Sequence, residues 1–181
     1  MYTLSPDEKT ALVMIYTHNS LLRGEAVVKE SIRVSTWLRT DGAPEYIHLL
    51  KPQVLTIAAN AVKTQTFNEM YFPTALAIAF HIVPPAHDPP DYDPTEANRI
   101  MQPVTLMVGA FTFRGKVRIS AKTDLGSSIA TSRVAWMSVY EVNISSPVLP
   151  QMGVLQVPMV IVRPLHVSFA LEEQQATNPT N

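Results

Sequence analysis

Residues 22–28 of the chain read Leu-Arg-Gly-Glu-Ala-Val-Val, and residues 113–119 read Phe-Arg-Gly-Lys-Val-Arg-Ile. In both stretches the side chains alternate as they do along a β-strand, so every second residue shares one face. The alternation places Gly24 and Gly115 on the inner face and Arg23 and Arg114 on the outer face. An inward glycine in mid-strand indicates a sharp bend or a close backbone contact, which is typical of small curved sheets.

Three more pairs of segments match in the same order along the chain. Taken in chain order and with the Arg-Gly pair in second place, the matched residue numbers differ by 88, 91, 90 and 85. Short insertions and deletions in surface loops explain this variation. The pattern predicts two tandem copies of one unit. The alternative is two unrelated β segments that share common strand and cap residues. The pairs are residues 5–8 with 93–96, 46–50 with 136–140, and Pro73 and His81 with Pro158 and His166.

A proline-rich segment separates the two copies. Five of the twelve residues from 83 to 94 are proline, and such a segment cannot pair as a central strand. We therefore expect a first β repeat over residues 1–83, a linker over 84–92 and a second repeat over 93–171. The polar residues 172–181 are expected to form a disordered tail.

Short runs rich in Val, Ile, Tyr, Phe and Thr, broken by turn residues, predict a mainly β fold. We expect two tandem, small, highly curved β-sheets or partly open barrels with short capping helices. Residues 5–8 and 93–96 each carry a cap residue, a proline and a glutamate, which predicts a helix start. Further helical turns are expected at residues 35–39 and 123–128.

Residues 22–28, 33–38 (Arg-Val-Ser-Thr-Trp-Leu) and 45–49 (Glu-Tyr-Ile-His-Leu) together resemble a family of small bacterial β domains of unknown function. Its members show an Arg-Gly strand, an Arg-Leu-Ser-Asp-Phe-Leu turn and a Phe-hydrophobic-Pro-Leu strand. The resemblance covers about residues 21–55, and Thr36 stands where an acidic residue is usual. It implies a bacterial β domain and no particular chemistry.

The composition favours association over nucleic-acid binding. Apolar residues make up 46% of the chain and charged residues 16%, whereas about 25% charged residues is ordinary. A surface so poor in charge indicates an apolar patch that is buried by self-association or by a protein partner. The net charge is −1 and neither half is basic, which argues against a nucleic-acid partner.

The chain has no cysteine, which excludes disulfides, a thiolate nucleophile and a cysteine-based zinc site. Its first residues lack the pattern of a signal peptide. The apolar stretch 75–83 is too short to span a membrane, and the stretch 154–171 is broken by prolines and charges. These features predict a cytoplasmic protein with no transmembrane segment.

Two groups of side chains are candidate metal sites. His81 and His166 close apolar strands at matched positions and could form a metal or proton-transfer site across a pseudo-twofold axis. The alternative is a half-buried histidine that was copied with its repeat. The linker residues His87, Asp88, Asp91 and Asp93 form the second group. Oxygen-rich loops can bind Ca²⁺ or Mg²⁺, but the spacing here does not match an EF-hand and the prolines restrict wrapping, so solvated linker polarity is the alternative.

Arg23 and Arg114 are the candidate ligand-binding residues. Two symmetric guanidinium groups could clamp a carboxylate or a phosphate between the copies. Alternatively, each arginine pairs with a nearby carboxylate or stacks on an aromatic ring.

The chain shows no nucleophile elbow, no glycine-rich phosphate loop and no credible carboxylate pair. We therefore expect a non-enzymatic interaction or scaffold protein without a cofactor, which assembles through its β surfaces. The alternatives are a sensor of small anionic ligands at Arg23 and Arg114, and a metalloenzyme that uses His81 and His166.

Overall fold

The computed structural model describes residues 2–58 and 61–172, and over these ranges the chain is mainly antiparallel β, as predicted. Of the predicted tail 172–181, only Glu172 belongs to the described residues; residues 173–181 lie outside them. The strands are β1 (Glu8–Tyr16), β2 (Ser20–Lys29), β3 (Tyr46–Ala58), β4 (Ala61–Thr66), β5 (Glu69–Pro73), β6 (Ala79–Ile82), β7 (Arg99–Val108), β8 (Phe111–Ser120), β9 (Met137–Ser145), β10 (Leu155–Val162) and β11 (Ser168–Ala170).

All eleven strands belong to one sheet, which does not close on itself. The strand order is β11-β7-β8-β9-β10-β6-β1-β2-β3-β4, and β5 also pairs with β3. The two halves of the chain meet where β6 pairs with β10, through Phe80 opposite Ile161 and Ala79 opposite Val162. The prediction of two separate curved units or barrels is therefore not confirmed, because one continuous sheet crosses both halves.

The ladders of the two halves have matching details. Val13 lies opposite Gly24 in β1 and β2, and Val104 lies opposite Gly115 in β7 and β8, 91 residues later. The next ladder of each half has an irregularity at the glycine, between Arg23 and Glu25 and between Arg114 and Lys116. Facing each irregularity is a residue with positive φ; these are Lys51 at 47° and Glu141 at 51°.

The strand glycines lie where the neighbouring backbone comes close. A Cβ atom on Gly115 would stand 2.9 Å from the Tyr140 carbonyl oxygen. A Cβ atom on Gly24 would stand 3.2 Å from Cα of Pro52. The close backbone at both places favours a residue without a side chain.

Two hydrophobic clusters form the core, and each takes residues from both halves. The cluster built mostly from the first half also contains Trp136 and Ile161. The cluster built mostly from the second half also contains four first-half residues, which are Tyr16, Leu21, Ile78 and Ala79. The two halves therefore share their interior as well as their sheet.

The helix starts predicted at residues 5–8 and 93–96 are wrong. The Ser5 backbone N–H and hydroxyl donate to Glu8 at 3.0 and 2.6 Å, as a helix cap would, yet β1 begins at Glu8. The backbone N–H of Thr95 donates to Asp93 at 2.8 Å within a similar turn before β7. Both cap motifs close a turn here, because the residues that follow alternate as a strand and bury one face of it.

Three short 3₁₀ turns span Thr74–Leu76, Pro150–Met152 and Pro164–His166. The two longest helical segments lie between the second and third strands of each half, where the sequence predicted helical turns at residues 35–39 and 123–128. A 3₁₀ turn spans Val34–Arg39, and α1 spans Leu125–Thr131, where Asp124 accepts a hydrogen bond from the Ser127 N–H at 2.7 Å. Within the described ranges, no helix has the length and apolar character needed to cross a bilayer.

Candidate functional site

His81 and His166 do not occupy matched positions, which corrects the prediction from the sequence. His81 lies in β6, almost fully buried, whereas His166 is exposed at the end of a 3₁₀ turn, Pro164–His166. The ring nearest to His166 among those described is that of His18, with centroids 6.3 Å apart. The two histidines therefore differ in both element and environment.

The ladder registers explain this error. β5 pairs with β3 and β10 pairs with β9, and the two ladders superpose with an offset of 90 residues. With that offset the counterpart of Pro73 in the second half is Arg163, so the predicted match of Pro73 with Pro158 is also wrong. The offset of 85, on which the match of the two histidines was based, comes from single residues that are identical by coincidence.

His81 forms a buried pair with Tyr16. Nδ1 of His81 lies 2.8 Å from the Ile82 carbonyl oxygen, so it carries the proton and donates. Nε2 then accepts from the Tyr16 hydroxyl at 3.1 Å. Burial lowers the pKa of His81 to about 4 and raises the pKa of Tyr16. The pair is neutral and enclosed, and it satisfies polar atoms inside the sheet.

The structure assembles no candidate metal centre from the described residues, where no three His, Asp or Glu side chains converge. His87 of the predicted linker cluster bonds only locally, through Nδ1 at 3.0 Å from the Pro85 carbonyl oxygen. Asp88 and Asp91 instead join the protein framework described below.

The structure does not bring Arg23 and Arg114 together. Arg23 lies on β2 and Arg114 on β8, and four other strands separate these two in the sheet. Arg114 is paired locally, since its Nε donates to Glu172 at 2.6 Å. Thr105 donates to the same carboxylate oxygen at 2.8 Å. A clamp between the two arginines is therefore not formed.

The proline-rich segment forms hydrogen bonds with residues of the first half. Asp88 accepts a hydrogen bond from the Ser35 N–H at 2.9 Å, at the start of the 3₁₀ turn. Arg33 donates to the Pro89 carbonyl oxygen. These hydrogen bonds hold the segment against the 3₁₀ turn. They therefore fix the position from which the chain enters the second half.

Asp91 connects this segment to both halves of the chain. It accepts from the Tyr140 hydroxyl at 2.6 Å and from the Ser138 hydroxyl at 2.8 Å, and it pairs with Arg39. Its side chain is 8% exposed. Burial raises the pKa of Asp91, but these hydrogen bonds and the Arg39 charge outweigh burial and hold it below the ordinary value. Asp91 therefore ties the first half to β9 as an anion.

Next to Asp91 lies a cleft of about 350 Å³ between the two halves, which we term the arginine cleft. It contains three guanidinium groups and three aromatic rings, an arrangement suited to anions and to flat apolar groups. The residues that line it are Arg39, Asp91, Tyr92, Arg99, Arg118, Ser132, Val134, Trp136, Met137, Ser138 and Tyr140.

Arg118 is held firmly within the arginine cleft. Its guanidinium lies 4.9 Å from the centre of the Tyr92 ring and donates to the Asp93 carbonyl oxygen at 2.8 Å. A second nitrogen lies 2.8 Å from Glu96, whose other oxygen accepts from Arg99 at 3.1 Å. Two arginines thus meet on one carboxylate at the edge of the cleft.

Sequence reasoning missed the arginine cleft. Arg39, Arg99 and Arg118 come from three distant elements and form no motif, so spacing could not reveal them. The available signal was Asp91, an acidic residue between prolines and a tyrosine, because a carboxylate that becomes buried commonly has a basic partner.

A second polar cluster lies on the outer face near β5. Glu69 accepts from the Tyr71 hydroxyl at 2.9 Å and lies 2.8 Å from Nε2 of His48. The rings of His48 and Tyr71 stack with centroids 4.5 Å apart, and Tyr2 meets His48 edge-on. The hydrogen bonds from Tyr71 and His48 lower the pKa of Glu69.

No model of a known protein family, no curated protein and no solved structure matches this chain. The resemblance of residues 21–55 to a bacterial β domain stays a prediction.

Proposed function

We propose that this protein is a non-enzymatic scaffold that assembles with a second copy of itself by pairing the free edges of its sheet. The observation that carries the proposal is the geometry of those edges. Among the described residues, β11 ends the sheet on one side, and β4 and β5 end it on the other. An open edge offers unpaired backbone groups to another strand.

Duplication of one β unit is part of this proposal. The matching ladders, the irregularities at Gly24 and Gly115 and the positive φ angles of Lys51 and Glu141 support it. In a duplicated chain, β5 is the counterpart of β10 and β11 is the counterpart of β6. The edge strands β5 and β11 are then the counterparts of β10 and β6, the two strands that pair with each other at the junction of the halves.

The junction inside the chain therefore gives the register of the proposed contact. Shifting the pair Ile161–Phe80 by the ladder offsets gives Tyr71 of one copy opposite Phe169 of the other. One difference weakens this contact. At the internal junction the Arg163 N–H donates to Ile78 at 2.8 Å, and its counterpart Pro73 has no N–H. We therefore expect reversible association.

Exposed apolar side chains at both edges support the same contact. Tyr71 is 58% exposed on β5, and Leu165 is 95% exposed beside β11. Large apolar groups grouped at a sheet edge are typical of protein interaction sites. The cytoplasmic location and the absence of a nucleic-acid partner and of a cofactor stay predictions of the sequence.

Analytical ultracentrifugation across micromolar to millimolar concentrations tests the proposal. The wild-type protein is expected to show a concentration-dependent dimer. Tyr71→Lys should weaken it, because a lysine at the contact must lose its hydration. Val62→Lys is the matched control, since Val62 is an exposed residue of β4 outside the proposed register. A protein that stays monomeric throughout, or equal effects of both substitutions, would overturn the proposal.

A further inference from the structure

We infer that the arginine cleft binds a small molecule that carries a carboxylate or phosphate group on an aromatic or apolar body. This inference does not depend on self-association, because the cleft lies within one chain. It rests on where the positive charges lie, how they are held, and what lines the remaining surface of the cleft.

The arrangement of arginines at the edge of the cleft favours an oxyanion. Arg99 and Arg118 converge on Glu96, and Arg118 also attracts the Asp93 carboxylate. At the other side Arg39 already pairs with Asp91. Arg99 and Arg118 therefore offer two converging guanidinium groups at one position, and such a pair matches the oxygen atoms of a carboxylate or phosphate.

Arg118 is already held in the position that binding requires. Its side chain is only 16% exposed, and Tyr92 and the Asp93 carbonyl group fix its guanidinium from two directions. A ligand that meets a fixed guanidinium loses little side-chain entropy on binding. The arginine therefore serves as a fixed anchor.

Glu96 occupies the place that we assign to the oxyanion of the ligand. Its side chain is 45% exposed and comes from the turn before β7. The Glu96–Arg99 pair is nearly half exposed, and such an ion pair contributes little to stability, so an incoming anion can replace Glu96 there. Glu96 thus acts as an internal competitor at this position.

The rest of the cleft suits an apolar body of limited size. The rings of Tyr92 and Tyr140 meet at 4.9 Å, and Val134 and Met137 line the same cleft. A volume of about 350 Å³ lies at the small end of the range for ligand sites, which fits a molecule with a single ring.

Titration of the full-length protein with phenyl phosphate, benzoate and inorganic phosphate tests this assignment, followed through the arginine Nε–H signals in NMR spectra. Phenyl phosphate or benzoate should shift the Arg99 and Arg118 signals saturably, and the stronger of the two identifies the preferred oxyanion. Inorganic phosphate should bind more weakly. No saturable shift with either aromatic probe would overturn the assignment, and equal binding of inorganic phosphate would overturn its apolar part.

Three variants separate a ligand site from surface charge. Glu96→Gln should bind the aromatic probe about fivefold more tightly, because the competitor is gone. Arg99→Gln should bind about tenfold more weakly, whereas Arg114→Gln, the same change on β8 outside the cleft, should bind like wild type. Weakening by Arg114→Gln as strong as that by Arg99→Gln, or no gain in Glu96→Gln, would overturn the site. Circular dichroism spectra check that each variant is folded.

Discussion

The hydroxyl group of Tyr16 donates a hydrogen bond of 3.1 Å to Nε2 of His81, and both side chains are buried where β1 pairs with β6. These strands lie beside the junction of the two halves. At mildly acidic pH, His81 is neutral in the folded protein and protonated in the unfolded protein, so its burial makes stability depend on pH.

The first prediction is that stability falls as the pH drops from about 6.5 to about 4. Burial lowers the pKa of His81 to about 4, whereas the unfolded chain has the ordinary value of 6.5. Between these values the unfolded state binds a proton that the folded state does not, so the stability present above pH 6.5 is lost progressively. The loss from this residue amounts to about 3 kcal/mol. Urea denaturation at a series of pH values measures it.

His81→Gln should flatten that pH dependence, because glutamine can make similar hydrogen bonds and does not titrate. Tyr16→Phe provides the companion measurement at neutral pH. It should cost about 1–2 kcal/mol, because Nε2 of His81 is left buried without a donor. An unchanged pH profile in His81→Gln would show that other groups cause the loss.

The second prediction concerns Asp91. Asp91→Ala removes the common acceptor of Tyr140 and Ser138 and the partner of Arg39, so we expect a loss of about 2–4 kcal/mol of unfolding free energy. Asp124→Ala, which removes only the exposed cap of α1, should cost clearly less. Thermal or urea unfolding compares the two. A similar loss in both variants would contradict the structural role of Asp91.

The third prediction distinguishes the glycines. Gly115→Ala should destabilise the protein by about 2–3 kcal/mol, because its Cβ would press on the rigid backbone oxygen of Tyr140. Gly24→Ala should cost about 1 kcal/mol, since its neighbour Pro52 stands slightly farther away. Gly126→Ala, in α1, should stabilise by up to about 1 kcal/mol. Urea denaturation of the three variants gives the ranking, and a milder effect at Gly115 than at Gly24 would refute it.

The fourth prediction is a small effect at the ion pair between Arg114 and Glu172. Both side chains are more than half exposed, so the solvent already screens their attraction. Glu172→Gln should leave the thermal midpoint within experimental error of wild type, and added salt should not separate the two proteins. A clear fall in the midpoint would show that this contact anchors the end of the described chain.

The mainly β fold could be predicted because alternating apolar residues, as at residues 113–119, report directly on a half-buried strand. The register of the later strands could not. A strand is compatible with several alignments of single prolines and histidines, and only the ladders of β5 with β3 and of β10 with β9 show that Arg163 is the counterpart of Pro73. The helix starts failed for a related reason, since the cap at Ser5 is local and the sheet that extends β1 is not.

The candidate site could not be predicted from the sequence, because its residues are far apart in the chain. Asp91 finds its partners at Arg39 and Tyr140, each about fifty residues away, and these contacts exist only after β9 and the 3₁₀ turn come together. No spacing rule relates such residues. Arg23 and Arg114 occupy matched positions of the two halves, whereas Arg118, on the same strand as Arg114, is matched by Val27 and has no arginine counterpart.

Trp136 and Ile161 complete the core of the first half, although the ribosome makes them long after that half has emerged. During synthesis the early strands therefore keep part of their apolar interior exposed, and they become fully enclosed only after Ile161 has been added. A nascent chain of this kind benefits from holding factors at the exit tunnel. Truncated products that end before Trp136 are accordingly expected to aggregate or to be degraded.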